Sequence, residues 1–430
     1  MSRFVFRSLV LTCVVVNAVC GAEPDGGEWP GFRGPLGNGY TGARDVPTEW
    51  SAEKNVAWKT ELPGDCNGSP VVVGSRVFVT SADHEGRQRS LYCFDADSGE
   101  QLWVRTVPFD KVLPTHETNL YAGTTPVADS ERVVVWHASA GLWCYDFSGK
   151  ELWSCQLGEF RHTWGYGTSP VILDGKVILH TGPGARVFIV GLNPATGEEL
   201  WKFEEPVDGD GEHNRDNKYM GSWSTPVMAE SDGRKTIVCS MSTRVVGLDP
   251  ESGSLVWSCD GIRGERGDLC YTSPVIAGDI CVAMGGYNGP AFGFRMKGTG
   301  DITEGQRLWR QTEKTPQRIA SGIVVDGLMY VMNAGPNTVQ CIDPASGDVK
   351  WQARSGGAAA WGSPVYANGL LYSTDQKGAT LVFRPNPKKL ERVALNALGE
   401  PSNSTPAIIH GRIFIRTFGH LYCIRNPAAS

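Results

Sequence analysis

The chain has 430 residues, of which 20% are charged, and its formal net charge is −6. This balance, without any run of basic residues, argues against a nucleic-acid partner and is typical of a globular protein that buries a sizeable core. A chain of this length usually folds as two or three domains, unless it is an array of repeats that closes into one.

The amino end has the pattern of a secretory signal peptide. Two arginines precede an apolar stretch over residues 9–19, and small residues follow it up to Ala22. We therefore predict a Sec-type signal over residues 1–22, cleavage after Ala22, and a bacterial periplasmic or secreted protein. The apolar stretch is short for a membrane span, so no span is expected after cleavage. An uncleaved anchor and a lipoprotein with Cys20 at its mature end are the alternatives.

Residues 23–54 precede the regular part of the sequence. They are rich in glycine and proline and lack strand periodicity, so we predict an irregular lead-in that packs Trp29, Phe32 and Trp50 onto the folded body. Residues 55–62, NVAWKTEL, resemble the last strand of a repeat whose first three strands are missing.

A short motif then recurs down the chain, with a glycine four residues before a tryptophan. The six copies end at Trp103, Trp153, Trp201, Trp257, Trp309 and Trp351. An Asp or Asn tends to end one strand, the glycine takes positive φ in a tight turn, and the residues up to the tryptophan form the return strand. We predict that each tryptophan lies on the outermost strand of its sheet and packs against the turn of the neighbouring sheet.

A second recurring element is a Ser or Thr, usually followed by Pro and then by an apolar run. Its eight copies begin at Ser69, Thr125, Ser169, Thr225, Ser273, Ser321, Ser363 and Thr405, at spacings of 42 to 56 residues. Each unit reads as four short strands, which is typical of a propeller blade. The seventh unit offers Val393 where the tryptophan is expected, so we predict a weaker junction at that blade.

The two ends of the array are complementary. Residues 405–426 contain a start and two further strands but lack the last strand, which residues 55–62 supply. Sharing one blade in this way closes a ring and hides the sheet edge that would otherwise be exposed. We therefore predict an all-β fold over residues 55–426, an eight-bladed β-propeller of four-stranded antiparallel blades, with a tail at 427–430. A parallel β-solenoid is the alternative, but it has no use for split ends.

The cysteines fall into two groups. Four occupy one equivalent strand position and are predicted to be small buried core residues: Cys93, Cys144, Cys341 and Cys423. The other six outside the signal are less regular and allow one or two disulfides in an exported protein: Cys66, Cys155, Cys239, Cys259, Cys270 and Cys281.

The residues just before each inner strand are candidates for a binding site, because they should line one mouth of the central channel. They are Asn67, Tyr121, Trp164, Tyr166, Trp223, Tyr271, Arg318, Trp361 and Asn403. This set could stack a planar ring, a sugar or a quinone, with Arg318 facing a carboxylate. The alternative interpretation is structural, with aromatic side chains that plug a wide channel and pack on each other.

Two insertions lengthen connections between strands, and functional residues concentrate on such loops. Residues 110–121 contribute Lys111, His116, Glu117 and Asn119. Residues 207–220 contribute the acidic side chains Asp208, Asp210 and Glu212. A Ca²⁺ site there is the alternative to a solvated acidic loop, although the glycine placement does not match an EF-hand. His162 could face the same mouth, but a lone histidine is more often structural.

The repeat Asp-x-x-(Thr/Ser)-Gly-x-x-x-Trp resembles the tryptophan-docking motif of pyrroloquinoline-quinone (PQQ) repeat propellers over nearly all of residues 58–426. That superfamily includes the quinoprotein alcohol dehydrogenases and the BamB-type outer-membrane assembly factors. The segment WPGFRGPLGNG, followed by NVAWKTELPG, further resembles exported PQQ-like propellers of planctomycete-type bacteria. The motif builds the blades, so it indicates the fold and says little about activity.

For a dehydrogenase, the resemblance implies PQQ clamped between a Trp and, in many members, a vicinal disulfide, with Ca²⁺ held by carboxylate and amide ligands beside a catalytic Asp. The sequence has neither a Cys-Cys pair nor a CxxCH motif. We therefore predict an exported, non-catalytic binding or scaffold protein of the BamB-like type, with a protein partner or a small-molecule or sugar ligand at the channel mouth. The alternatives are a PQQ-dependent alcohol dehydrogenase that uses PQQ with calcium, and a polysaccharide-binding propeller.

Overall fold

The computed structural model describes residues 24–313 and 315–427. The predicted signal peptide at 1–22 and all but the first residue of the predicted tail lie outside the described residues. Eight four-stranded antiparallel sheets follow one another along the chain, which confirms the predicted eight-bladed propeller. The sheet of blade 4 gains a fifth short strand, Gly300–Asp301, which pairs in parallel with its outer strand.

The strands of the first four blades, in the order inner to outer, have the following bounds. Blade 1 comprises Val71–Val73, Arg76–Ala82, Gln88–Asp95 and Gln101–Pro108; blade 2 comprises Val127–Ala128, Arg132–Trp136, Leu142–Asp146 and Glu151–Cys155; blade 3 comprises Val171–Leu173, Lys176–His180, Val187–Leu192 and Glu199–Glu205; blade 4 comprises Val227–Ser231, Arg234–Ser240, Arg244–Leu248 and Leu255–Asp260.

The other four blades follow the same order. Blade 5 comprises Val275–Ala277, Ile280–Met284, Ala291–Arg295 and Arg307–Gln311; blade 6 comprises Ile323–Val325, Leu328–Asn333, Thr338–Ile342 and Val349–Arg354; blade 7 comprises Val365–Ala367, Leu370–Thr374, Ala379–Arg384 and Glu391–Ala397; blade 8 comprises Ala407–Ile409, Arg412–Arg416, His420–Arg425 and Val56–Glu61. Outside the blades lie a parallel strand pair, Tyr219–Ser222 with Gly267–Cys270, and two short helices, Ala138–Ala140 and Thr303–Gln306. Neither helix has the length and apolarity that crossing a membrane would require, within the part of the chain described.

The ring closes through blade 8. Its outer strand, Val56–Glu61, pairs antiparallel with His420–Arg425, so the two chain ends share one sheet as predicted. The observed strand is one residue shorter at each end than the predicted 55–62. Because blade 8 is completed from the other end of the chain, opening the ring requires strand pairing to break.

Six tryptophans of outer strands each contact a turn of the next blade. Trp103 on the outer strand of blade 1 donates its indole N–H to the carbonyl of Phe147 in the turn of blade 2, at 3.0 Å. Its ring lies over Gly149, where an added Cβ would come within 2.9 Å of the indole. The same donation to a turn of the next blade is made by Trp58, Trp153, Trp201, Trp309 and Trp351. Trp58 donates to Ala96 of blade 1, so this contact also crosses the closure.

Blade 7 places its residues differently from the prediction. In all seven other blades a Cys or Gly of the third strand faces a tryptophan of the outer strand, as Cys341 faces Trp351 in blade 6, whereas in blade 7 Val382 faces Ala394. Val393 occupies the bulge that precedes this position and is 45% exposed, so assigning it the tryptophan position was wrong. The hairpin of blade 7 is two residues longer than that of blade 6, and this shifts the register.

The lead-in crosses one end of the channel and then reaches the seam between blades 7 and 8. Trp29 forms a bridge with Val72 of blade 1, and Tyr40 pairs with Tyr366 of blade 7. Trp50 is buried among side chains of blades 7 and 8, and its backbone N–H donates to Asn396 of the outer strand of blade 7. The lead-in thus supplies a tryptophan at the seam where the repeat lacks one.

The regular cysteines lie where a small side chain is needed. Cys93 and Cys144 each face the docking tryptophan of their own blade across the two outer strands, and glycine takes this place in blades 3 to 5. A Cβ on Gly191 would lie 2.4 Å from the ring of Trp201, which shows how little room remains. All ten described cysteines are free thiols, so the disulfides that the sequence allowed among the irregular six are not formed.

Candidate functional site

The Ser or Thr that opens each inner strand belongs to a ring of hydrogen bonds around the channel, which we call the hydroxyl ring. The backbone N–H of Ser69 donates to the hydroxyl of Thr125 in the next blade, at 3.0 Å, and the N–H of Thr405 returns to the hydroxyl of Ser69 at 2.9 Å. The same link joins Thr125 to Ser169, Ser169 to Thr225, Ser273 to Ser321, Ser321 to Ser363, and Ser363 to Thr405. The recurrence of Ser and Thr therefore has a structural cause.

A cavity of about 350 Å³ lies at the mouth of the channel, bordered by six hydroxyls of this ring. They belong to Ser69, Thr125, Ser273, Ser321, Ser363 and Thr405. Phe32 of the lead-in lines both this cavity and a second one of about 750 Å³ towards the other end of the channel, so it lies between them.

Four aromatic rings form one wall of the cavity, which we call the aromatic wall: Trp164, Trp223, Tyr271 and Tyr287. The rings of Trp164 and Trp223 have centroids 5.9 Å apart, and Tyr271 meets Trp223 edge-on at 5.4 Å. Tyr287 stacks on Trp164 with 6.0 Å between centroids and 19° between planes. Mutual contact of this kind fixes the rings as one surface before any ligand arrives.

A strained hairpin positions the ring of Tyr287, and an insertion supports the ring of Trp164. Tyr287 and Asn288 both have positive φ, 53° and 65°, in the hairpin of blade 5, a conformation that is uncommon for residues other than glycine. The hydroxyl of Thr315 donates to the carbonyl of Asn288 at 2.6 Å and fixes this turn. Behind Trp164, Tyr219 from the insertion at 207–220 packs at 4.6 Å. Strained residues cluster where a side chain must be aimed.

Three asparagines form a second surface, which we call the amide face. Asn67 donates to the carbonyl of Thr118 at 2.9 Å and to Asn119 Oδ1 at 3.1 Å. Asn403 donates to Asn67 Oδ1 at 3.0 Å. Asn119 donates to the carbonyls of Trp164 and Tyr166, at 2.7 and 3.1 Å, and so ties the amide face to the aromatic wall.

Six of the nine predicted mouth residues line the cavity: Asn67, Trp164, Trp223, Tyr271, Trp361 and Asn403. The other three do not. Tyr121 packs on Arg89 and donates its hydroxyl to the carbonyl of Leu113, and Tyr166 is buried in the core between blades 2 and 3. Arg318 is buried within blade 6, where its guanidinium donates to Asn333 and Gln340 and burial lowers its pKa to about 10.

Strand geometry explains why six of the predicted mouth residues line the cavity and three do not. In all eight blades the residue two positions before the opening Ser or Thr lines the cavity, because side chains alternate along an extended chain. In blades 2, 3 and 6 this residue is Gly123, Gly167 or Ile319, and the aromatic or charged neighbour points elsewhere. Counting back two positions would have identified these residues from the sequence.

The first insertion, residues 110–121, also contributes residues to the lining of the cavity. His116, Thr118 and Asn119 all line it, although only His116 and Asn119 stood out in the sequence. Tyr287 and Gln317 also line it, and the sequence carried no signal for either, because Tyr287 comes from a hairpin and not from a strand start.

His162 does not face the mouth. It is fully buried, its Nδ1 accepts the backbone N–H of Trp164 at 3.0 Å, and its Nε2 lies 3.1 Å from the carbonyl of Met220. Burial lowers the pKa of His162, and the two contacts fit a neutral ring that carries its hydrogen on Nε2. His162 therefore positions the backbone of Trp164.

The acidic insertion uses its carboxylates internally. Asp208 pairs with Arg215 at 2.6 Å and with Arg263 at 3.2 Å, and Asp210 accepts the backbone N–H groups of Glu212 and His213. Within residues 24–313 and 315–427, no three His, Cys, Asp or Glu side chains come close enough to hold a metal ion. Asp208, Asp210 and Glu212 are thus not brought together as a calcium site.

The lining of the cavity has no Asp, Glu, Lys or Arg side chain among the described residues, and His116 is its one histidine. The Ca²⁺ and catalytic Asp that the resemblance implies for a dehydrogenase would need carboxylates here, and the carboxylates of PQQ would need a cation. With Arg318 inside blade 6, the residues present do not fit PQQ with calcium.

Known proteins are similar to this chain in sequence. A family model described as outer membrane protein assembly factor BamB matches residues 40–112, 87–353 and 298–424. A polyvinylalcohol dehydrogenase from a Pseudomonas species is 25% identical over 274 residues, which cover 55% of this chain and 40% of that protein. The match therefore spans less than half the length of this relative.

Two solved structures share the fold. A europium-containing methanol dehydrogenase superposes with a TM-score of 0.68 at 12% identity, over 94% of this chain and 98% of that one. BamB from Moraxella catarrhalis superposes with a TM-score of 0.59 at 15% identity, over 86% of this chain and 99% of that one. At such identities the likeness is one of fold.

Proposed function

The chain belongs to the family of PQQ-repeat propellers described as outer membrane protein assembly factor BamB, and from this premise we propose that it is an exported, non-catalytic binding propeller. Its ligand is a small uncharged molecule held in the channel-mouth cavity. The observation that carries this proposal is the lining itself, in which an aromatic wall faces polar groups without a charged side chain. Such a pocket binds and orients a ligand through stacking and hydrogen bonds.

The same lining supports binding without catalysis. General acid and base catalysis needs a titratable group whose pKa is tuned by a neighbour. The ring of His116 is exposed and its Nδ1 lies 2.9 Å from the hydroxyl of Thr118, with no carboxylate beside it in the lining. Among the described residues, seven of the eight hydroxyls of the ring accept a backbone N–H group, that of Ser273 has no partner, and none is hydrogen-bonded to a histidine base, so none is set up as a nucleophile.

The dehydrogenase alternative is tested by loading the purified protein with PQQ and Ca²⁺. We expect no quinone absorbance to stay with the protein through gel filtration and no reduction of a redox dye by alcohols. In parallel, a screen of uncharged small molecules by thermal shift should yield at least one that raises the melting temperature of the wild type. Retention of one PQQ per chain with alcohol-dependent dye reduction would contradict the proposal.

A scaffold role in contact with a protein partner is supported by the family and by the fold shared with BamB from Moraxella catarrhalis. The scaffold role is compatible with a ligand in the cavity, because a ligand at the channel mouth leaves the outer faces of the blades available to a protein partner.

A further inference from the structure

The amide face offers the cavity only hydrogen-bond acceptors. Both amide hydrogens of Asn67, of Asn119 and of Asn403 are already donated to protein oxygens. Each side-chain oxygen of the three accepts one hydrogen bond, from a neighbouring amide or from Gln376, and an amide oxygen has two lone pairs. A ligand that meets this face must therefore donate.

The hydroxyl ring offers the opposite. Among the described residues, none of the six hydroxyls that border the cavity donates its hydrogen to a protein acceptor. They accept backbone N–H groups from the preceding blade, except for the hydroxyl of Ser273, which lines the cavity and has no hydrogen-bond partner among the described residues. Each hydroxyl therefore has an undonated hydrogen, and a ligand that meets the ring satisfies it only by accepting that hydrogen.

A third requirement comes from the aromatic wall. Tyr287 presents a half-exposed ring, stacked on Trp164, that can cover a flat apolar surface of a ligand. The rings of Trp164, Trp223 and Tyr271 contact one another on one side of the cavity, so they form a platform and not a cage around a cation.

We infer that the ligand of this cavity is a neutral saccharide. Alcohol groups both donate and accept, so one sugar satisfies the amide face and the hydroxyl ring together, while the C–H face of a pyranose ring covers the aromatic wall. A carboxylate or ammonium group would be buried without an oppositely charged side chain in the lining, which is costly. This inference rests on the proposed function and names the chemistry of its ligand.

The experiment is isothermal titration calorimetry on the full-length protein with neutral probes, glucose, cellobiose and maltose, and with two charged counterparts, glucuronic acid and glucosamine. We expect saturable binding of at least one neutral saccharide and about tenfold weaker binding of the charged sugars. Tyr287→Asn removes the ring but keeps a residue that tolerates positive φ, and should weaken binding about tenfold.

Two control variants locate the site. Tyr287→Phe keeps the ring and should leave the affinity within about twofold. Leu36→Asn alters the exposed Leu36, which lines the second cavity and not the first, and should have no effect. Equal affinity of Tyr287→Asn and wild type would overturn the inference.

The outcomes also separate this inference from the proposed function. If none of the saccharides binds but another uncharged molecule does, and Tyr287→Asn abolishes that binding, the saccharide is wrong and the proposed function stands. If a charged sugar binds more tightly than its neutral counterpart, both are overturned, since both require an uncharged ligand.

Discussion

At the scale of single residues, the repeat determines where the regular cysteines lie. Cys93, Cys144 and Cys423 each lie opposite a docking tryptophan, and burial raises the pKa of each thiol to about 12. A buried thiol with a raised pKa is a poor nucleophile, because the thiolate is the reactive form. These cysteines pack as small apolar side chains.

This placement predicts slow thiol chemistry in the folded protein. At pH 8, a disulfide reagent such as Ellman's should modify at most the half-buried Cys155 in the native state. In guanidinium chloride without reductant, ten thiols should react if residues 1–22 have been removed, and all twelve if they remain. Rapid reaction of several thiols in the native protein would contradict the packing, and fewer than ten after unfolding would show a disulfide.

The sequence predicted where in each blade the cavity-lining residues lie, but it identified only some of those residues. The rule that residues before an inner strand face the channel holds at the second position before the Ser or Thr, as in Trp223 and Trp361. It fails one residue further back, for Tyr166 and Arg318, because alternate side chains point into the blade. Tyr287 could not have been found, since its hairpin is aimed by local strain that no repeat encodes.

At the scale of elements, the sequence predicted each blade because hairpin and tryptophan recur together. It missed the register of blade 7, where a longer hairpin moves Val393 into the bulge. It predicted that Trp50 of the lead-in packs on the folded body, but not that Trp50 lies at the seam between blades 7 and 8.

The seam therefore depends on the lead-in, which gives a prediction. Trp50→Ala should lower the free energy of unfolding by about 3–5 kcal/mol, as should Trp103→Ala within the repeat, because both remove a buried indole. The phenylalanine variants distinguish the two sites. Among the described residues, the indole N–H of Trp50 has no hydrogen-bond partner, whereas that of Trp103 donates to the carbonyl of Phe147, so Trp103→Phe should cost about 1 kcal/mol more than Trp50→Phe. Denaturant unfolding measures both, and equal costs would contradict the assignment.

The shared blade gives a second prediction at this scale. Burial tends to raise the pKa of Glu400, but hydrogen bonds from Lys59, Thr417, His420 and Tyr422 outweigh it and lower the pKa to about 2. Lys59 lies on the strand from the amino end, so Glu400 helps to hold this strand on blade 8. Glu400→Gln should destabilise the fold by about 2 kcal/mol, which charge-assisted hydrogen bonds typically contribute.

Hydrogen exchange shows whether that loss lies at the closure. Amides of Val56–Glu61 should exchange faster in Glu400→Gln than in wild type, while those of blade 4 should not change. Glu61→Gln on the same strand is the matched control, because the side chain of Glu61 is exposed and makes no hydrogen bond or ion pair among the described residues. Uniform acceleration over all blades would show that Glu400 acts on the whole fold and not on the closure.

At the scale of the whole molecule, buried histidines predict how stability depends on pH. Burial lowers the pKa of His137 to about 3 and that of His180 to about 4, from an ordinary value of 6.5, and His162 is shifted in the same direction. The unfolded chain therefore binds protons below pH 6.5 that the folded chain does not, and stability falls as the pH falls. Each histidine contributes a slope of up to about 1.4 kcal/mol per pH unit until its folded pKa is reached.

The melting temperature measured from pH 8 to pH 4 checks this. It should be nearly constant above pH 7, decline below pH 6.5, and decline further below pH 4.5 as Glu400 begins to lose its advantage. His180→Gln should flatten the slope, while the exposed His84→Gln should not. A melting temperature that rises between pH 7 and pH 5 would contradict the buried, neutral histidines.

The most direct test of the central claim is a crystal structure of the protein grown with the neutral saccharide that binds it most tightly. We predict density for a sugar ring flat against the exposed ring of Tyr287, with its hydroxyls within hydrogen-bond distance of Asn67 or Asn403 and of the hydroxyl ring. Density for the sugar on the outer faces of the blades or in the second cavity, with the channel mouth empty, would contradict it.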